Sequence, residues 1–108
     1  MKLATLPEPK AIKQQMKAVH ASLGADPGVN WESMVVWHMN QMPKYFWDSW
    51  KDKLKAQGFT WAKFMHLLHY RTDNLLMWYR GIMPWSDLVK TVEELVEGPL
   101  GKDIAKRS

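Results

Sequence analysis

Every extended apolar pattern in this chain has the period of a helix, and nearly every such run is closed by Gly or Pro. Ile12, Met16, Val19 and Leu23 recur at i, i+4, i+7 and i+11, opposite Lys10, Lys13 and Lys17, with Pro9 before them and Gly24 after. Phe46, Trp47, Trp50 and Leu54 share a face opposite Asp48, Lys51, Asp52 and Lys55, and Gly58 ends that run. Thr60 can cap a short helix with Phe64, Leu67 and Leu68 inward. Leu75, Trp78 and Tyr79 mark the next, stopped by Gly81 and Pro84. Ser86 and Asp87 open another, with Leu88, Val92, Leu95 and Val96 inward and Gly98-Pro99 beyond. One more helix is expected over 31–41, capped by Asn30 and ended by Pro43, with Trp31, Met34, Val35, Met39 and Met42 on a broad face. No alternating pattern competes, so the expectation is an all-α fold of five or six short helices spanning about 9–23, 31–41, 44–56, 61–68, 72–80 and from 86 onward.

The same sequence excludes most chemistry. A length of 108 residues suits one domain. With no cysteine there is no disulfide framework, thiolate nucleophile or Cys-based zinc site. The N-terminus has no apolar core of a signal peptide, and apolar runs are only a few residues long. A cytoplasmic protein with no membrane span is therefore expected. His66 and His69 lie three apart near a helix end with His38 upstream, but their neighbours are Leu67, Leu68 and Tyr70 rather than further ligands. Glu93, Glu94 and Glu97 belong to the outer face of a helix. No P-loop, dinucleotide fingerprint or nucleophile elbow is present. Neither an enzyme nor a cofactor is expected.

Charge and large apolar residues are distributed unevenly. The formal net charge is +4, and residues 44–80 carry seven basic side chains against three acidic ones. Residues 81–98 instead carry one Lys against Asp87, Glu93, Glu94 and Glu97. Seven Trp and eight Met are many for a chain this short. Trp47, Trp50 and Trp78 fit a core. Trp31, Trp37 and Trp85, with Met34, Met39 and Met42, exceed what such a core needs and read as an interface, joined by Trp61. Homodimerisation through 31–43 is the expectation, with 1–43 as an N-terminal helical extension and dimerisation element, 44–98 as the main domain and 99–108 as a loose basic tail.

Residues 54–84 form one string, LKAQGFTWAKFMHLLHYRTDNLLMWYRGIMP. The combination of Gly58, Thr60, Ala62, Leu68, Trp78, Gly81 and Pro84 resembles the helix-turn-helix core of lambda-repressor-like DNA-binding domains, over roughly 44–97. The resemblance implies a bracing helix at 61–68, a recognition helix at about 72–80 in the major groove of double-stranded DNA, and a small transcriptional regulator acting as a homodimer. It places groove contacts at Thr72, Asp73, Leu76, Met77 and Arg80, and phosphate contacts at Lys53, Lys55, Lys63 and Arg71. The chain departs from the family at Trp61, a usual phosphate-contacting position, at Met65, a usual small one, and at His69, a usual turn Gly. Lys63 replaces the acidic partner of a capping box. The alternative is a protein–protein interaction module, or a phage-type inhibitor or accessory factor, presenting Trp61, Leu76 and Met77 from the same scaffold.

Overall fold

The computed structural model of the chain describes residues 5–23 and 41–107. Among these the fold is all-α, with no strand. A segment without helix or strand, 5–9, leads into α1 (Lys10–Leu23). Then come α2 (Gln41–Ala56), α3 (Trp61–Leu68), a 3-10 turn (His69–Arg71), α4 (Thr72–Tyr79), α5 (Trp85–Glu97) and α6 (Pro99–Lys106). The helix expected over 31–41 lies outside the described residues except for Gln41, and with it Trp31, Met34, Trp37 and Met39.

The apolar faces read from the sequence meet in one core. Phe46, Leu54, Phe64, Leu67, Leu88, Val92 and Val96 lose essentially all solvent exposure, and Trp50, Leu68 and Trp78 nearly all. Aromatic rings supply much of the filling: Phe46 packs on Trp50 at 5.2 Å between centroids, and Phe59 meets Phe64 edge-on at 6.3 Å. Among the described side chains of α1, Met16 is buried, with Ile12 and Val19 partly so.

Three expectations are corrected. Pro43 does not separate two helices; α2 begins at Gln41 and carries Pro43 in its first turn. A missing amide hydrogen costs nothing there, because first-turn amides have no intrahelical partner. The boundary drawn between 43 and 44 thus falls within a helix.

Residues 99–106 are not a loose tail. Pro99 starts α6, and Ile104 and Ala105 enter the core. Gly101 sits directly on the backbone carbonyls of Leu95 and Val96, where any β-carbon would collide. That close approach lets α6 fold back on α5.

Trp85 is no surplus surface residue either. Its ring stacks on Phe46 at 5.6 Å and lies 5.2 Å from that of Trp78.

Candidate nucleic-acid interface

The α3–turn–α4 unit is delimited by two helix ends of the same design. At the end of α2 the Phe59 amide donates to Leu54 O (3.0 Å) and the Gly58 amide to Lys55 O (3.0 Å), with Gly58 at φ +103°. At the end of α4 the Ile82 amide donates to Met77 O (2.9 Å) and the Gly81 amide to Trp78 O (3.0 Å), with Gly81 at φ +80°. Both are Schellman motifs, which use a left-handed Gly to satisfy carbonyls that the helix leaves open. The accompanying apolar pair is Leu54 with Phe59 in the core, and Met77 with Ile82 at the surface. Thr60 caps α3 as expected, its side chain accepting from the Lys63 amide at 3.2 Å.

The connection between α3 and α4 contains no left-handed residue. His69 opens the connection, and the chain passes through it as a 3-10 turn. His69 Nδ1 lies 2.7 Å from Met65 O, and Thr72 Oγ donates to His69 O at 3.1 Å. These local bonds tie the turn to both helices.

The groove positions do not all face outward. Asp73 and Arg80 are exposed, one in the first turn of α4 and one at its C-cap. An acidic side chain in a first turn also favours the helix dipole. Thr72 is half-buried and engaged with His69. Leu76 is half-buried and packs on the core, so its expected outward contact is corrected. Met77 retains 37% of its exposure and is followed by Ile82 at 65%.

Among the phosphate candidates, Lys53, Lys55 and Arg71 are exposed. The Arg71 guanidinium donates to Tyr70 O at 2.9 Å. Lys63 has a different employment. Its ammonium donates to Gly58 O at 3.2 Å and to Ala105 O at 3.1 Å, joining the turn after α2 to the last turn of α6. A cation there satisfies helix-end carbonyls and the negative ends of two helix dipoles. The expectation of Lys63 as a phosphate contact is therefore corrected in favour of an internal staple.

The interface candidates fare similarly. Met42 is only 2% exposed and belongs to the core, which corrects its assignment to an interface. Trp61 is half-buried and packs edge-on against Trp47 at 6.1 Å. His66 lies edge-on to Tyr70 at 5.8 Å. Among the described residues no cluster of three His, Asp or Glu side chains could hold a metal ion. No helix there is long and apolar enough to cross a membrane.

Two features were missed from the sequence. One is a cleft of about 440 Å³ between the turn after α2 and α6, bordered by Gln57, Glu97, Lys102 and Lys106. The other is a group of ring donors around residues 6–8. Trp85 Nε1 donates to Leu6 O at 2.8 Å, Tyr45 OH to Pro7 O, and Trp78 Nε1 to Glu8 Oε1 at 3.1 Å. Pro7-Glu8-Pro9 was the available signal, since two prolines around one residue favour an extended segment. Burial pushes the Tyr45 and Tyr79 phenols above their ordinary value. Comparison with protein-family models, with curated proteins and with solved structures found no match to this chain.

Proposed function

We propose that this chain is a small DNA-binding regulator that lays α4 in the major groove and braces α3 on the backbone. The observation that carries the reading is a pair of short helices, each eight residues long, joined by a three-residue turn. The outer face of α4 offers Asp73, Met77 and Arg80 to base edges. Arg80 suits a guanine, Asp73 a cytosine amino group and Met77 a thymine methyl. Lys53, Lys55 and Arg71 are the phosphate contacts of this reading. A homodimer would set two such helices about 34–36 Å apart on successive turns of DNA. The action is binding with occlusion or recruitment, with no covalent step.

The test removes cations and measures salt dependence. Each phosphate contact contributes roughly 0.9 to the slope of log affinity on log salt. Alanine at Lys53, Lys55 or Arg71 should therefore flatten that slope by about one each. Arg80→Ala should reduce affinity for a selected site more than for random duplex. Slopes unchanged by all four substitutions would refute the reading.

A protein-interaction module is the second reading, supported by the exposed apolar pair Met77 and Ile82. An apolar interface of that kind responds little to salt.

A further inference from the structure

The three ring donors around residues 6–8 come from α2, α4 and α5, and they read three successive residues of the segment before α1. Two of them grip main-chain carbonyls, of Leu6 and Pro7. The third, Trp78 Nε1, takes the Glu8 carboxylate. Lys13 of α1 completes that contact, with its ammonium 3.8 Å from Glu8 Oε1, 3.4 Å from Trp78 O and 5.0 Å from the centre of the Trp78 ring. Leu6 and Pro9 are buried at the two ends. Proline at two of four positions holds the backbone extended and presents no amide that would need a partner. Carbonyl grips, an apolar pocket and a charge-matched pocket are the components by which aromatic grooves recognise proline-containing peptides.

We propose that this cradle is a peptide-recognition site for an extended apolar-Pro-acidic-Pro segment of a partner protein, and that residues 6–9 occupy it in cis. The selectivity is in its chemistry. Lys13 and the Trp78 indole demand an acidic residue at the third position, and the Leu6 pocket demands an aliphatic one at the first. A cleft of about 280 Å³ adjoins the first end of the cradle, bordered by Thr5, Leu6, Trp85, Ser86, Val89 and Glu93. A partner segment that also contacts Ser86, Val89 and Glu93 would gain over residues 6–9 and displace them.

The experiment uses the full chain carrying Leu6→Asp and Glu8→Lys, which disables the resident segment without substituting any cradle side chain. The probe is a fluorescein-labelled synthetic peptide copying residues 5–9, followed by anisotropy. This variant should bind the peptide, and the wild-type chain at least about tenfold more weakly because its own segment competes. A peptide with Gln in place of Glu should lose about tenfold, the worth of one charge-assisted hydrogen bond. Adding Trp85→Phe, which keeps the ring and removes the donor, should weaken binding again. Glu8→Gln alone is a milder opening of the cradle and should bind peptide better than wild type. No binding to either opened variant, with helical content intact, would overturn the proposal. Equal binding of the Glu and Gln peptides would do so too. Self-association of the wild-type chain that the peptide cannot dissolve would assign the cradle to a second copy and overturn the partner reading.

Discussion

Gly58 and Gly81 close two helices with the same motif, so alanine at each isolates what the surroundings add. Both glycines have positive φ, +103° and +80°. Placing an L-residue there costs about 1–2 kcal/mol, partly offset by about 0.4–1 kcal/mol from a less flexible unfolded chain. For Gly81 the account stops there, because an added β-carbon meets nothing within 4 Å. A net loss of roughly 0.5–1 kcal/mol follows, which lowers Tm by about 3–8 °C in a domain of this size. At Gly58 the β-carbon would stand 2.8 Å from the carbonyl oxygen of Ala105, a backbone atom at the end of α6. Relieving that contact means parting α6 from the turn and stretching both Lys63 hydrogen bonds. Overpacking of this kind adds about 1–3 kcal/mol, for a total near 2–4 kcal/mol and a Tm loss of about 10 °C or more. Thermal unfolding followed by circular dichroism measures both variants. Equal shifts, or a larger one for Gly81→Ala, would show that α6 does not seat against the turn after α2.

Lys63→Met keeps the aliphatic stem and removes both bonds to Gly58 and Ala105. The loss should be about 1–2 kcal/mol in urea unfolding, discounted because the ammonium is partly exposed, with no change in the salt slope of DNA binding. Ile104→Ala should cost about 2–5 kcal/mol as a buried aliphatic truncation, whereas a change within about 0.5 kcal/mol would return 99–106 to a solvated tail. Tyr45 and Tyr79 bind their protons more tightly folded than unfolded. Their stabilising contribution is therefore complete below pH about 10 and fades as pH rises through their elevated values. Tyr45→Phe should flatten the alkaline fall in stability, read by chemical unfolding across that range. A fall of unaltered steepness would exclude Tyr45 as a contributor.

The features legible in the sequence were local ones. Gly58, Thr60 and Gly81 announce their roles because a helix cap depends on a few neighbouring residues. The inward faces of α2, α3, α4 and α5 were equally clear, since each places three or more large apolar residues at helical spacing. The obscure features depend on distant partners. Lys63 lies 42 residues from Ala105, and nothing near it signals the carbonyls it joins. Helix α6 escaped because, beside Gly101, Ile104 and Ala105 are its buried residues, amid Lys102, Asp103, Lys106 and Arg107. Leu76 was placed outward by its position beside Leu75, but α4 is short and the core reaches round both sides of it. Trp85 looked surplus because two of its partners, Phe46 and Leu6, are remote in sequence. Of the candidate site, the two-helix unit and the exposure of Asp73, Met77 and Arg80 were readable, while the internal employment of Lys63 was not.

The DNA reading stands or falls most directly on one titration of the wild-type chain into a labelled random-sequence duplex, followed by anisotropy at about 50 and 200 mM salt. With three phosphate contacts per chain, from Lys53, Lys55 and Arg71, the affinity of a single chain should fall about fortyfold between the two conditions. No binding at the lower salt, or binding indifferent to it, would contradict the assignment of α4 as a groove-reading helix and leave the fold as a scaffold for protein contacts.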